Sequence, residues 1–366
     1  MAWCFVTFHQ YIMKLTNKGD PMFYRKLMAL SLAAVATTSM AAGRDTISVV
    51  GSSTVYPFST VVAERFGKAT DFATPKIEST GTGGGMKLFC AGVGVDTPDM
   101  SNASRRIKAS ELEMCKANGV DEVVEVLVGY DGIVFSNAIG APNISISLQE
   151  IFLALAKEIP NPDGSATLIE NPYNNWNEVN PSLPDMKISV YGPPPTSGTR
   201  DAFAELALEG GCKTYSWIKA LKKADKNRYK SICHSVREDG AYIETGENDN
   251  LIVQKLTTNP KAFGIFGFSF LDQNSDTLQG SKVSGAYPTF EDIADGAYPI
   301  SRPLYFYVKK AHVGKVPGIM EFLEEFTSED AIGDEGYTTD KGLIPLSYEK
   351  LEEMRKSVMS LQSVSL

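Results

Sequence analysis

Histidine and cysteine are both scarce in this chain of 366 residues, which contains three histidines and five cysteines. No two cysteines are spaced as Cys-x-x-Cys, and no histidine belongs to a cysteine or carboxylate motif with metal spacing. The sequence therefore predicts no metal site, no redox motif and no cofactor. The motifs GxSxG and GxxxxGK[ST] are missing too, so the usual nucleophile elbow and the phosphate loop are excluded. These absences argue against an enzyme.

Positive charge is also in deficit, because 35 Lys and Arg residues face 44 Asp and Glu residues, for a net charge of −9. A chain of this charge has no general affinity for nucleic acid or for an anionic membrane. If it binds an anion, local groups must hold that anion against the overall field. The length is sufficient for two domains with their own cores.

The N-terminus has the pattern of an export signal. Arg25 and Lys26 precede an apolar run over residues 27–36, and residues 39–41 form a small-x-small cleavage site. A transmembrane anchor is the alternative, but the run is short and lacks a charged stop. We therefore interpret residues 1–41 as a leader with the signal peptide at residues 22–41, and either Met1 or Met22 as the start.

Cleavage after Ala41 removes Cys4 and leaves an even number of cysteines. An even number in an exported protein predicts disulfides. Three pairings are open to four cysteines, and we favour the two local ones. These join Cys90 to Cys115 and Cys212 to Cys233.

Apolar strands alternate with amphipathic helices along the chain, which predicts an α/β fold with largely parallel sheets. Ser147 and Glu150 form a capping box that opens a helix to about residue 158. Residues 160–184, rich in Pro, Asn and Asp, are predicted to be a long surface excursion. Other predicted strands lie at residues 46–50, 76–78, 122–128, 187–191, 262–267 and 304–308, and other predicted helices at residues 61–68, 86–91, 109–118, 199–209, 318–327 and 347–361.

Three runs of glycine and hydroxyl residues stand where a predicted strand passes into a helix. We call residues 51–55 the first turn, residues 79–85 the second turn and residues 196–200 the third turn. The first N–H groups of a helix have no partner within the helix, and the positive end of its dipole points the same way. Three such turns that converge would bind a small oxyanion without a catalytic base.

The order of these motifs resembles the periplasmic phosphate-binding proteins of ABC transporters, which have the type II binding-protein fold. The resemblance covers nearly the whole chain after the leader. Its motifs are GSSTVYPF at residues 51–58, STGTGGGMK at 79–87, NASRR at 102–106, GYDGIV at 129–134, YGPPPTSGTRDAF at 191–203, YPI at 298–300 and GLIPL at 342–346.

The resemblance implies a two-lobed α/β fold, in which each lobe is a mostly parallel sheet flanked by helices and crossover hinge strands join the lobes. Lobe I would comprise residues 45–135 and 302–366, and lobe II residues 136–301. The anion would lie in the cleft between them.

The resemblance also implies a ligand set from the three turns. These residues are Ser53, Thr54 and the amide of Val55 in the first turn, Thr82 and Gly83 in the second, and Ser197, Gly198 and Thr199 in the third. Ordinary helix capping and tight-turn formation are the alternative for each turn taken alone. The ordered set favours ligand binding.

Arg105 and Asp131 complete the implied site. Arg105 would offset the ligand charge, where the alternative is a surface arginine. Some family members have an aspartate in place of Arg105, and that aspartate accepts a proton of the ligand. We assign this acceptor role to Asp131, whose carboxylate would accept the proton of hydrogen phosphate and repel sulfate. A hinge aspartate is the alternative. Many relatives also have an arginine where this chain has Pro193. Arg200 lies just after the third turn's hydroxyl residues, and we leave it out of the ligand set, with its contact to the anion open.

The resemblance implies a monomeric periplasmic protein that captures inorganic phosphate and delivers it to the permease subunits of an ABC transporter. A receptor for another oxyanion or a phosphonate is the alternative of the same class. A secreted phosphatase on the same fold is the alternative of a different class.

Overall fold

The computed structural model of the protein describes residues 44–246 and 248–365. The predicted leader and its signal peptide lie outside the described residues. Within this part of the chain, no helix has both the length and the apolar composition that a membrane span requires.

Strands and helices alternate over most of the described chain. Strands β1 to β13 are Ser48–Gly51, Lys76–Ser79, Met100–Ala103, Val123–Ala138, Ser145–Ile146, Glu158–Pro160, Leu168–Glu170, Val190–Gly192, Tyr242–Glu244, Phe263–Gly267, Leu278–Gly280, Lys282–Val283 and Ser301–Lys309. Helices α1 to α15 are Tyr56–Ala69, Thr82–Phe89, Ala109–Ala117, Leu148–Leu155, Trp176–Val179, Gly198–Phe203, Glu209–Cys212, Ser216–Ala224, Lys226–His234, Asp249–Thr258, Phe268–Gln273, Phe290–Ala294, Ile319–Phe326, Glu329–Ile332 and Tyr348–Met359. A π-helical segment, Ala204–Leu208, joins α6 to α7, and short 3-10 helices lie at Lys310–His312 and Thr339–Lys341.

The main sheet has the strand order β2-β1-β3-β13-β4-β10-β8-β9, and β11 also pairs with β4. Strand β1 is parallel to β2 and β3, and β8 is parallel to β9 and β10. The long strand β4 lies antiparallel to β13 over residues 123–132 and antiparallel to β10 over residues 133–136. Two groups of parallel strands are thus connected through β4 and β13. The predicted residue boundaries of the two lobes stay a prediction.

This topology positions the three turns. The first turn follows the end of β1 and the second follows the end of β2, and these strands are in register from Ser48 opposite Lys76 to Gly51 opposite Ser79. Both turns therefore leave the same edge of the sheet. The third turn follows β8, in the other group of parallel strands.

Residues 160–184 lie mostly at the surface, as predicted, but they contain regular elements and one large buried side chain. Strands β6 and β7 pair as an antiparallel ladder, and helix α5 follows with Trp176 fully buried. The indole lies 5.8 Å from the ring of Phe135 on β4 and 5.4 Å from that of Phe263 on β10, between ring centroids. The burial of this large ring holds the segment against the core, although its Pro, Asn and Asp content is typical of a surface loop.

Both favoured disulfides are present. Cys90 at the end of α2 is bonded to Cys115 on α3, and Cys212 at the end of α7 to Cys233 on α9. Each bond therefore connects two successive parts of the chain, 25 and 21 residues apart.

We predict that the double change Cys212→Ala and Cys233→Ala lowers the free energy of unfolding by about 3 kcal/mol, because the unfolded chain regains the entropy of a closed loop. Urea unfolding followed by circular dichroism measures the loss. The wild type reduced under the same conditions is the control, since it opens both loops and retains the sulfur atoms. Equal unfolding midpoints for the oxidised wild type and the double variant would contradict the prediction.

Candidate functional site

The first and third turns meet face to face. A Cβ atom built on Gly198 would lie 3.4 Å from the backbone oxygen of Ser53 and 3.6 Å from the Cα atom of Thr54. The Ser53 hydroxyl donates a hydrogen bond of 3.0 Å to Oδ2 of Asp201 on α6. The structure thus brings together two of the predicted turns that are about 145 residues apart in sequence.

Both turns also cap their own backbone. Oγ of Ser197 accepts a hydrogen bond of 3.2 Å from the Thr199 amide, and Oγ of Ser52 accepts one of 3.2 Å from the Thr54 amide. A hydroxyl that accepts a backbone amide still has its own hydrogen to donate. Helix capping by Ser197 is therefore compatible with a bond from the same hydroxyl to an anion.

The second turn packs against the end of β1. A Cβ atom on Gly85 would lie 2.5 Å from the Cα atom of Gly51, so this approach of the two backbones requires glycine. Oγ1 of Thr82 accepts a hydrogen bond of 3.1 Å from the Ser104 amide. These contacts therefore hold the second turn beside the first turn.

Two cavities adjoin at the first turn, since Ser53 and Thr54 line both of them. The first cavity has a volume of about 630 Å³, and Asp131 and the residues of the third turn line it. The second cavity has a volume of about 960 Å³. Among the predicted site residues, Thr82, Gly83 and Arg105 line the second cavity, and Asp131, Ser197, Gly198 and Thr199 line the first. The Val55 side chain is fully buried, so only its backbone could face an anion.

Arg302, which the sequence analysis did not select, connects the parts of the site. It stands on β13 directly opposite Asp131 on β4, and 8% of it is exposed. Its guanidinium donates to Oδ2 of Asp131 at 3.3 Å, to Oε2 of Glu205 at 2.6 Å and to Oγ1 of Thr54 at 2.7 Å. The crossover hinge strands that the resemblance implies were the available signal. Two strands that join the same lobes can lie side by side, and here their register places Arg302 opposite Asp131.

Two buried carboxyl groups face the first cavity, Asp131 and Asp249. Burial raises the pKa of Asp131, while the charge of Arg302 and its hydrogen bond oppose this and the charge of Glu205 adds to it. Burial also raises the pKa of Asp249 to about 6, against a hydrogen bond from the Gly267 amide. Nothing in the sequence around Asp249 indicates a role for it.

The two arginines singled out beside the turns have other partners. The Arg105 guanidinium makes a bidentate ion pair with Glu111, with distances of 2.9 and 2.7 Å, at the side of the second cavity. The Arg200 guanidinium lies over the Tyr242 ring, 4.4 Å from its centroid, and donates to the Pro193 carbonyl at 3.1 Å. The roles of both arginines toward the ligand therefore stay predictions.

The fold and this arrangement of turns are those of an α/β binding protein, and comparison with known proteins specifies the family. The PBP superfamily domain matches residues 36–330 of the chain. The phosphate-binding protein PstS of Staphylococcus saprophyticus is 31% identical over 289 residues, which are 76% of this chain and 75% of that protein. The protein SphX of Synechococcus elongatus is 29% identical over 80% of each chain. This chain belongs to the PBP superfamily and, within it, to the PstS-like family.

Solved structures confirm the predicted type II binding-protein fold. The crystal structure of a possible phosphate-binding protein from Planctomyces limnophilus is similar with a TM-score of 0.67 and 28% identity, covering 87% of this chain and 99% of that one. An ABC-type phosphate transport receptor from Vibrio cholerae shares the fold, with a TM-score of 0.53 and 18% identity over 82% of this chain and all of the other.

Proposed function

We propose that this protein binds inorganic phosphate between the first and third turns and delivers it to the permease of an ABC transporter. The observation that carries the proposal is the meeting of Ser53 and Thr54 with residues 197–199 beside the buried Arg302–Asp131 pair. Phosphate binding in the names of the relatives supports the same ligand.

In this proposal, each group has a distinct task. The hydroxyls of Thr54, Ser197 and Thr199 and the backbone amides of Val55 and Gly198 donate to phosphate oxygens. The Ser53 hydroxyl joins them by exchanging its hydrogen bond to Asp201 for one to phosphate. Arg302 supplies the nearby positive charge. The Asp131 carboxylate accepts a phosphate proton, and sulfate, which carries no proton at neutral pH, would leave that acceptor unpaired.

Thr82, Gly83 and Arg105 also belong to the proposed ligand set, because the second cavity that they line adjoins the first. That cavity adjoins the first at Ser53 and Thr54. Closure of both sides around an anion would bring the second turn to it, and hinge closure of this kind is common among two-lobed binding proteins.

Isothermal titration calorimetry at pH 7.5 tests the ligand. The protein is first freed of phosphate by reversible unfolding and dialysis, and is then titrated with phosphate, arsenate, sulfate and methylphosphonate. We expect phosphate to bind and sulfate to bind at least about 100-fold more weakly, as expected when a buried group is left unpaired. Equal affinity for sulfate would contradict the role of Asp131, and preference for methylphosphonate would favour the alternative receptor. Release of nitrophenol from nitrophenyl phosphate would favour the phosphatase.

We predict that Ser197→Ala weakens phosphate binding by about 10- to 100-fold, because one hydrogen bond to a charged ligand contributes about 1.5–3 kcal/mol. Ser347→Ala is the matched control, since Ser347 caps α15 as Ser197 caps α6. Both changes should cost about 1 kcal/mol of stability as lost caps. If the two variants bound phosphate equally well, Ser197 would be a capping residue alone.

The proposal also covers location and assembly. The predicted signal peptide and the PstS-like family support a periplasmic monomer. Expression of the full chain in a Gram-negative host followed by osmotic shock should release a protein that begins at residue 42, and light scattering should give the mass of one chain. A protein that kept its first 41 residues or stayed with the membrane would contradict this part.

A further inference from the structure

Asp249 has an unusual position for a carboxylate. It is the first residue of α10, lines the first cavity together with Asp131, and is 6% exposed. Its Oδ2 accepts a hydrogen bond of 3.0 Å from the Gly267 amide. Its Oδ1 is buried and has no hydrogen-bond partner among the residues that the structure describes. A buried acceptor of this kind is costly, and a ligand that carries a donor would satisfy it.

The charged groups around this cavity do not compensate Asp249. Asp131 faces the same space from β4, and its partner Arg302 already contacts Asp131, Glu205 and Thr54. Asp340 and Lys341 of the 3-10 helix Thr339–Lys341 line the cavity as well, and no ion pair within residues 44–246 and 248–365 joins either of them to Asp249.

The protonation of Asp249 is set by two opposing effects. The N-terminus of α10 favours its ionised form through the helix dipole. Burial acts against that form, and the nearby charge of Asp131 adds to burial, so that the pKa of Asp249 rises to about 6. Desolvation is the larger effect. Asp249 therefore exchanges its proton close to the pH range in which phosphate loses its second one.

We propose that Asp249 exchanges a proton with the bound phosphate, as a second carboxyl group beside Asp131. The bound complex then holds two protons, which are shared among the anion, Asp131 and Asp249. This inference rests on the proposed function. Dihydrogen phosphate donates one P–OH to each carboxylate. Hydrogen phosphate donates its single P–OH to Asp131, and a protonated Asp249 then donates its O–H to a phosphate oxygen.

Both forms of the complex contain the same number of protons, so binding must take up a proton at alkaline pH. At pH 8, hydrogen phosphate is the main free form and Asp249 is ionised. One proton then enters from solution for each phosphate bound, while Asp131 stays ionised and accepts a P–OH. We expect the affinity to fall about tenfold per pH unit for this proton.

Calorimetry in two buffers of different ionisation enthalpy counts this proton. At pH 8, the wild type should take up about one proton per phosphate more than Asp249→Asn. The asparagine carbonyl can still accept from the Gly267 amide, and its NH₂ group donates to the anion without titrating. The variant should therefore bind phosphate with a flatter pH dependence. Asp340→Asn, which changes another carboxylate of the cavity, is the matched control and should retain the proton uptake of the wild type.

The ligand-free protein gives a second readout. The Asp249 pKa rises from its ordinary 3.8 to about 6 on folding, so the folded state binds this proton more tightly. Stability is therefore lost as the pH rises from about 4 to 6 and stays reduced above that. Asp249→Asn should melt at a higher temperature than the wild type at pH 8 and show no such gain at pH 4.

The outcomes separate the two proposals. Equal proton uptake by the wild type and Asp249→Asn, with phosphate still bound, would overturn the role of Asp249 and leave the phosphate site standing. Absence of phosphate binding by the wild type at any pH would overturn the proposed function itself. A melting temperature of Asp249→Asn that equals that of the wild type at both pH values would show that the carboxylate is not buried in its charged form.

Discussion

Arg302→Met is expected to abolish measurable phosphate binding and to lower the free energy of unfolding by about 3–5 kcal/mol, as is usual when one partner of a buried ion pair is removed. Arg302 is 8% exposed and contacts Asp131, Glu205 and Thr54. Without it, Asp131 remains as an unpaired buried carboxylate, and the Thr54 hydroxyl loses the donor that orients it. Urea unfolding and phosphate titration measure the two losses.

A double-variant cycle separates charge from packing. Arg302→Met with Asp131→Asn removes both charges, so it should recover much of the lost stability and none of the phosphate binding. Arg302→Lys keeps the positive charge but cannot donate in three directions from a planar group, and should bind phosphate weakly. Wild-type phosphate affinity in Arg302→Met would refute the assignment of the nearby cation to Arg302.

The turns could be read from the sequence because their chemistry is local. Glycine and hydroxyl residues between an apolar strand and a helix define such a turn within a few residues, and parallel pairing of β1 with β2 brings the first two turns to one edge. The α/β alternation and the Ser147 capping box were predictable for the same reason, and the structure contains both.

Helix boundaries were less predictable where tertiary contacts override propensity. Helix α2 begins at Thr82, four residues before the predicted start, and so includes three glycines that disfavour a helix. Close packing of this helix on β1 explains why glycine is present, since a Cβ atom on Gly85 would collide with the Gly51 backbone. The tertiary contact thus overrides the low helix propensity of glycine. Helix α1 begins at Tyr56 and not at residue 61, with Pro57 in its first turn, where proline is tolerated.

Among the charged groups, Asp131 was selected through the resemblance, but Arg302 and Asp249 could not be predicted, because their contacts are distant in sequence. Arg302 and Asp131 are separated by 171 residues and meet only through the register of β13 with β4. Asp249 shows nothing unusual in its sequence neighbourhood, and its burial and the unpartnered oxygen arise from the packing of α10 beside β10. Local patterns therefore predicted the three turns, whereas the Arg302–Asp131 ion pair and the burial of Asp249 required the tertiary structure.

Trp176→Ala is expected to lower the free energy of unfolding by about 3–5 kcal/mol, the usual cost of removing a large buried aromatic side chain. The indole is fully buried and packs edge-on against the stacked rings of Phe135 and Phe263. The cavity left behind would border β4 and β10, which position Asp131 and Gly267. Far-UV circular dichroism in urea measures the loss independently of the change in tryptophan fluorescence.

Two further variants sharpen this test. Trp217→Ala removes the same side chain from a half-buried position and should cost clearly less. Trp176→Phe retains an aromatic ring and removes an indole N–H that has no partner in the described chain, so most of the stability should be kept. Trp176→Ala that remains folded should bind phosphate with an affinity within a few-fold of the wild type, because the turns are held by other contacts. A loss no larger than that of Trp217→Ala would show that contacts other than this ring hold residues 160–184 against the core.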